Sequence, residues 1–453
     1  MIKRYNRTQS LCSHCGKKID ATVVEKKDGV YLEKYCPEDG THYELFCSDP
    51  GWYRRSLSFI KPMTSPKARS VGTFTSCPES CGLCPEHGQH TCLPVIEINS
   101  SCDMECPVCL KTWNEPFSMT AREFSDIIDT LKKCEGFVPV INLSGGEPTL
   151  NPDMTEMLAI ARDKGIMQVS ISTNGNKFLN DAAFRKQLSE YNPIIALQFD
   201  GFEPRTYNIL RGRDLSSKKT EIVRILDNER FRYSLVATIA SGVNDHEVKS
   251  ITDFFFESNA LSLMFQPVAY NGHAAEMAKP ARRSTIPDIV KEILKCGKVS
   301  KDDFNPLPCS HPSCFALSYY INAGNGVFAS LKEMLGTDAY LDIISNRTLP
   351  GLDAEGFRIL QNKVYDIWSA ADQYPDSEHI LNKIRNVMRE MNESSFSPQK
   401  MFDIGTETIK AIFIHQFMDR ATIDFGRLMK CCNHYPRTDG KLIPMCAQNA
   451  YFV

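Results

Sequence analysis

Pro94-Val-Ile-Glu-Ile-Asn99, two serines, and then Cys102-Asp-Met-Glu-Cys106-Pro-Val-Cys109 form the stretch on which the fold turns. The first six residues read as a short apolar strand that delivers a cysteine loop. Three thiolates spaced C-x3-C-x2-C supply three ligands to a four-iron cluster whose irons each take one soft ligand. The fourth iron then keeps an open position that a small bidentate ligand can chelate. Downstream, past an amphipathic helix from about 120 to 134, a strand over Val138–Leu143 runs into Ser144-Gly145-Gly146-Glu147-Pro148. The two glycines let backbone approach a ligand closely, and Glu147 offers a carboxylate to an ammonium group. Gly-Gly-Glu alone is a weak signal, but behind a strand and downstream of that loop it is a strong one.

Four more strands follow at regular intervals. Met167–Thr173 leads to Asn174-Gly175, Ile194–Phe199 to Asp200-Gly201, and Phe231–Thr238 and Leu261–Val268 complete the series. Strands alternating with helices predict βαβ units and a parallel sheet. The expected fold is α/β: a partial (β/α)6 TIM-type barrel with small Cys-rich metal-binding N-terminal and C-terminal domains. Ligand groups belong at the C-terminal strand ends, which selects Ser172, Asn174 and Asp200, with Thr238 and Asn244 as further ribose candidates. Each such polar strand-end residue has a plain structural hydrogen bond as its rival reading.

The chain has 453 residues and 18 cysteines, and its 52 basic and 55 acidic residues give a net charge of −3. At about 150 residues per domain this is about three domains. The balance of charge argues against a nucleic-acid partner. Hydrophobic residues at 42% and charged residues at 24% are ordinary globular usage. The longest stretch without Asp, Glu, Lys or Arg, Phe304–Leu331, carries three prolines and two glycines and does not suit a membrane span. Met1-Ile2-Lys3-Arg4 is followed by polar residues rather than an apolar signal segment. A cytoplasmic protein is expected, touching a membrane at most at its surface. Cysteines there are reduced, so Cys-x-x-Cys spacings argue for metal rather than disulfides.

Residues 1–60 read as a metal module. Cys12-Ser-His-Cys15 is a two-thiolate knuckle, Cys36 follows a hairpin, and Cys47 is the expected fourth ligand with His42 as its rival. Spacing does not separate zinc from a mononuclear, rubredoxin-like iron. In the linker region 61–93, Cys77, Cys81, Cys84 and Cys92 suit an auxiliary four-iron cluster, with zinc as the alternative. After the barrel at 94–300, the segment 301–453 carries Cys309, Cys314, Cys431, Cys432 and Cys446. A second auxiliary cluster on Cys309, Cys314, Cys446 and one of Cys431 or Cys432 is expected there. A stripe through Ile380, Leu381, Ile384, Val387, Met388 and Met391 reads as helical core.

From about residue 94 to 270 the chain resembles the radical S-adenosylmethionine superfamily. The resemblance implies that Cys102, Cys106 and Cys109 hold the catalytic cluster while Gly145, Gly146 and Glu147 position the methionyl amine. Tyr207 with Arg211 resembles the segment that reaches the methionyl carboxylate. Such enzymes cleave S-adenosylmethionine reductively to a 5′-deoxyadenosyl radical, and a reducing partner such as a ferredoxin or flavodoxin is implied. Over nearly its full length, with Cys81-Gly-Leu-Cys84, Gln89-His-Thr-Cys92 and Leu442-Ile-Pro-Met-Cys446-Ala447, the chain is similar to the tetraether lipid synthase family, long grouped with supposed pterin methylases. Asp39 stands where that pattern has a histidine. The resemblance implies carbon–carbon bond formation on a lipid or other long apolar chain. Methylation or other modification of a small molecule such as a pterin is the alternative, and a non-catalytic zinc scaffold the third reading. Anaerobically prepared protein is expected to be brown and to contain iron and acid-labile sulfide; colourless protein containing only zinc would select the scaffold.

Overall fold

The computed structural model describes residues 2–113, 115–277, 279–280, 282–347, 368–369, 377–392 and 397–452. At the N-terminus, β1 (Lys3–Leu11), β2 (Lys18–Lys26), β3 (Gly29–Cys36) and β4 (Gly40–Cys47) form an antiparallel four-stranded meander. The second sheet begins with six parallel strands in chain order: β5 (Leu93–Asn99), β6 (Val140–Gly145), β7 (Gln168–Thr173), β8 (Ile194–Gln198), β9 (Arg232–Ile239) and β10 (Ser262–Pro267). These are the six strands expected from the sequence, and the barrel they begin is partial.

The C-terminal segment continues this sheet at both edges rather than standing apart from it. Its strands are β11 (Phe315–Gly324), β12 (Val327–Ser330), β13 (Ile409–His415), β14 (Asn433–Pro436) and β15 (Leu442–Pro444). β13 pairs parallel to β10, and the β11–β12 hairpin lies outside it. At the other edge β14 pairs parallel to β5 and antiparallel to β15. The result is an eleven-stranded sheet with eight parallel strands at its centre.

Strand patterning decides which face meets the helices. Along β7 to β10, Ile171, Ile195, Leu197, Leu235, Ala237, Leu263 and Phe265 are fully buried, while the residues between them are half-exposed. A period of two sends alternate side chains to opposite faces. The buried set packs into one core with the flanking helices, among them Ala121–Glu135, which buries Phe124, Ile127, Ile128, Leu131 and Cys134. That helix starts at a reciprocal Thr120–Glu123 capping box and stops at Gly136, whose φ of 78° suits glycine. Cys134 is therefore a core thiol.

Phe255 and Phe256 are buried in the same core, and Phe254 stacks on Phe199, so the Phe254–Phe256 run is interior rather than a membrane-facing patch. Among the described residues no helix is long and apolar enough to cross a membrane. Residues Ser377–Asn392 form the expected C-terminal helix, with Ile380 and Ile384 buried; the Met388 and Met391 side chains lie outside the described residues.

A buried cation fixes the β10–β13 edge. The Lys410 ammonium donates to the carbonyls of Phe255, Ser258 and Ala260 at 2.8, 2.7 and 3.1 Å. These groups end the helix Val248–Glu257 and lead into β10. Lys410→Met takes the ammonium donor from the Ser258 and Ala260 carbonyls, leaving Phe255 the Ser258 hydroxyl at 3.1 Å, and is expected to cost about 2 kcal/mol, read as a lowered apparent urea midpoint.

Candidate active site and metal centres

The cysteine loop leaves the C-terminal end of β5, and the Ser144–Glu147 turn leaves β6 beside it. Gly146 N–H donates to the Asn99 carbonyl at 2.9 Å and Glu147 N–H to the Ser101 carbonyl at 2.7 Å. A Cβ on Gly145 would lie 2.2 Å from the Asn99 oxygen, and one on Gly146 2.2 Å from the Ser101 oxygen. Here the backbone that the glycines admit is the root of the cysteine loop.

Glu147 is only 2% exposed, and its carboxylate is nearly saturated. One oxygen accepts from Thr149 N–H at 3.2 Å and from the Thr149 and Thr173 hydroxyls, both at 2.7 Å; the other accepts from Asn174 N–H at 2.8 Å. A carboxylate has about four acceptor positions, so Oε2 retains one for an ammonium group. Burial raises the Glu147 pKa against these donors. Asn174 carries the connection onward: its side-chain amide donates to Asp103 Oδ1 at 2.6 Å, and Asn176 donates to Asp103 Oδ2 at 2.8 Å. The end of β7 is thereby tied to the cysteine loop between Cys102 and Cys106.

Asp200 and Arg211 satisfy one another. Two bonds of 2.7 and 2.9 Å form a bidentate pair, the Arg211 guanidinium also donates to the Thr238 hydroxyl at 3.0 Å, and Asp200 is wholly buried. Burial disfavours the Arg211 charge, yet the adjoining Asp200 carboxylate raises its pKa. The guanidinium also reaches the Cys106 thiol. Asn244 donates to the Asp200 carbonyl at 2.8 Å, and Tyr207 donates to the Gly201 carbonyl at 3.0 Å. Asp200, Tyr207 and Asn244 thus support the strand end, while Arg211 sits against the cysteine loop.

Lys219 is a residue that sequence reasoning missed. It lies in the helix Ser216–Asn228, is 1% exposed, and donates to the Asn174 carbonyl at 2.6 Å. Burial pushes its pKa down to about 7, partly opposed by Asp200 and Glu147. In sequence it stands in Ser-Ser-Lys-Lys-Thr, which reads as a solvated helix start; nothing there signals that one of two lysines turns inward.

The face of the sheet opposite the helices is apolar at its lower end, where Val140 and Ile194 meet Phe402, and carries Ala196, Val236 and Met264, but toward the C-terminal strand ends it is mostly polar. Glu97, Asn142, Ser144, Ser170, Ser172, Gln198, Ser234, Thr238, Ser262 and Gln266 alternate with the apolar core positions. Ser172 donates to Asn142 at 3.0 Å, Asn142 to Ser170 at 3.1 Å, and Ser262 to Ser234 at 2.7 Å. Glu97 holds Lys111 in a 2.7 Å ion pair, and the ammonium lies 4.0 Å from the Tyr435 ring centroid. The Gln198 carbonyl oxygen is buried without a partner on this same face.

The remaining cysteines are grouped differently from the sequence expectation. In the N-terminal module, Cys12, Cys15, Cys36 and Asp39 place one ligand atom each within 4.8 Å of the others. Cys47 is not among them and is a correction. Cys36 pairs with Gly40 at one end of β4, whereas Cys47 pairs with Val30 at the other. An eight-residue strand puts about 23 Å between its ends. Cys47 instead is buried in the core with Trp52 and Tyr53, and its thiol faces the Asp49 carbonyl at 3.3 Å.

Cys77, Cys81 and Cys84 lie near one another and interact electrostatically. Cys92, expected as their fourth member, instead meets Cys309 and Cys432. The cause is the β5–β14 pairing: Cys92 and Leu93 N–H both donate to the Cys432 carbonyl, at 2.8 and 3.2 Å. Consecutive residues entering a strand face opposite ways, so Cys431 turns toward Cys446 and Cys314. The expected single set of Cys309, Cys314, Cys446 and one of the pair is thus divided between two groups. Arg427 lies 3.3 Å from the Cys314 thiol, and Met418 N–H 3.3 Å from that of Cys446. Convergent soft thiols beside buried cationic and N–H donors have the chemistry that an iron–sulfur cluster requires.

These features define a class. Residues 72–255 form a radical SAM superfamily domain, the α/β fold with a partial barrel, preceded at residues 4–48 by a match to the HMPTM N-terminal zinc ribbon domain. A four-iron cluster and S-adenosylmethionine go with that family, and the chain is a radical SAM enzyme. Among curated proteins it is similar to 7,8-dihydro-6-hydroxymethylpterin dimethyltransferase of Methanocaldococcus jannaschii, with 29% identity covering 98% of this chain and 93% of that one. It also matches an S-adenosylmethionine-dependent nucleotide dehydratase of Selenomonas ruminantium at 31% identity, over 24% of this chain and 40% of the relative. Among solved structures, Streptococcus suis SuiB bound to S-adenosylmethionine aligns with a TM-score of 0.40 and 15% identity, covering 46% of this chain and 47% of that one.

The buried Lys219 gives a pH signature. Between its folded pKa of about 7 and its ordinary value of 10.5, the unfolded chain holds a proton that the folded chain has released. Stability contributed by this site therefore rises with pH through that window, by up to about 1.4 kcal/mol per pH unit. Without S-adenosylmethionine, Lys219→Met is expected to be more stable than the parent near pH 7 and to lose that slope, read from urea midpoints between pH 7 and 10.

Proposed function

We propose that this enzyme modifies an unactivated carbon of a compact, polar small molecule, and that methyl transfer to a reduced pterin is its specific reaction. The polar groups gathered on the inner face of the sheet near the strand ends are the observation that carries the reading. A site for a planar heterocycle needs a few convergent hydrogen-bonding groups in an enclosed space, and Asn142, Ser170, Ser172, Gln198 and the Glu97–Lys111 pair line the half-open face below the cysteine loop. A long hydrocarbon chain would leave the buried Gln198 carbonyl oxygen without a donor and would cut the Glu97–Lys111 pair off from water, at a cost for each. Similarity along nearly the whole chain to the pterin dimethyltransferase supports the same choice over carbon–carbon joining of lipid tails.

The residues that would hold the cofactors are Cys102, Cys106 and Cys109 for the four-iron cluster, with Glu147 Oε2 and the Gly145–Gly146 turn beside the methionyl amine. When bound, the cluster supplies the electron that cleaves S-adenosylmethionine to methionine and a 5′-deoxyadenosyl radical. The chain's own contribution is placement. Asp103 and Asn174 tie the cysteine loop to β7, Arg211 sets its guanidinium against Cys106, and Ser172 stands at the strand end nearest the turn. Cys77, Cys81 and Cys84, the Cys92 group and the Cys431 group are the candidate holders of auxiliary iron–sulfur clusters. A low-potential reductant, a ferredoxin or flavodoxin, would deliver the electrons.

The test is 5′-deoxyadenosine formation by anaerobically reconstituted protein with S-adenosylmethionine and a strong reductant, with Cys106→Ala as control. Production is expected from the parent and at least a hundredfold less from the variant. A dihydropterin should raise the rate and acquire mass. Stimulation by isoprenoid lipid with none by dihydropterin would select the carbon–carbon reading instead.

A further inference from the structure

The N-terminal module holds more donors than one ion needs. Besides Cys12, Cys15, Cys36 and Asp39, a second set made of Cys12, His14, Asp39 and His42 also brings one ligand atom from each residue within 4.8 Å of the others. The two sets share Cys12 and Asp39. The Asp39 carboxylate is turned so that its two oxygens serve different sides. Oδ2 lies 2.9 Å from the Cys12 sulfur and 3.4 Å from that of Cys36, while Oδ1 lies 4.0 Å from His14 Nδ1. The His14 and His42 rings meet edge to face with centroids 4.8 Å apart. His42 Nε2 is buried and has no hydrogen-bond partner, so a neutral imidazole leaves a nitrogen facing this space.

We propose that the module binds two zinc ions, one on Cys12, Cys15, Cys36 and Asp39 Oδ2, and a second on His14, His42, Asp39 Oδ1 and the shared Cys12 thiolate. The first ion is the one a zinc ribbon implies; the second is additional. Imidazole, carboxylate and thiolate are all ordinary zinc donors, and four of them complete a tetrahedron. Asp39 is what makes the pair possible, because a carboxylate can bridge two ions with separate oxygens, and the turn between β3 and β4 holds it between the thiols and the imidazoles.

The experiment is zinc counting on the full chain with its iron–sulfur clusters in place, titrated with Zn2+ alone and read by elemental analysis and zinc-edge X-ray absorption. The parent is expected to bind two zinc ions per chain, with imidazole scattering and a short zinc–zinc vector. His14→Ala with His42→Ala is expected to bind one, with both features lost and an all-sulfur-and-oxygen shell remaining. These histidines are exposed and half-exposed, so the variant should fold. Asp39→Asn serves as the second variant and is expected to lose the zinc–zinc vector. One zinc in the parent, or two in the double-histidine variant, overturns the proposal.

Discussion

Everything at the mouth of this protein depends on the two ends of its parallel sheet being closed. Six parallel strands alone would expose a row of unpaired N–H and C=O groups at β5 and another at β10, each open to pairing with something else. The last third of the chain supplies both covers, β13 against β10 and β14 against β5. Because β14 enters beside the start of β5, it also decides which cysteines meet. Cys432 arrives at Cys92, Cys431 turns the other way to Cys446, and the sequence blocks that hold these thiols are no longer separate units.

That dependence explains what could and could not be read from the sequence. The six central strands, the cysteine loop and the Gly-Gly-Glu turn were legible because each is local: a period of two, a fixed spacing, a glycine pair. The partition of the other cysteines was not, because it follows from pairing between residues more than three hundred positions apart. Cys47 looked like a ligand by type, and only strand length rules it out. Asp39 stood out as a departure from a histidine pattern, but not as a ligand whose oxygens face both thiols and imidazoles. Lys219 was hidden because a Lys-Lys helix start resembles any solvated one.

The sheet also separates two kinds of chemistry by a single alternation. One side, made of Ile171, Ile195, Leu197, Leu235 and Leu263, is apolar and closed against helices. The other presents hydroxyls, amides and one ion pair toward the strand ends, with Ala196, Val236 and Met264 among them. Tightly packed apolar residues behind the strands fix their positions, and the polar groups in front bond mainly to one another across the strands. Beyond the strand ends this pattern stops, and Glu147, Asp200 and Asn174 are committed to holding backbone, as a mouth built from loops requires.

The strand order has a consequence for synthesis. A ribosome releases β5 to β10 well before β13 and β14, so the nascent chain passes through a stage in which both flanks of the sheet are bare and Cys92 lacks Cys309 and Cys432. Assembly of any metal group on those thiols is therefore tied to release of the finished polypeptide, and a chain cut short after β10 would carry an unfinished sheet and an orphaned thiol together.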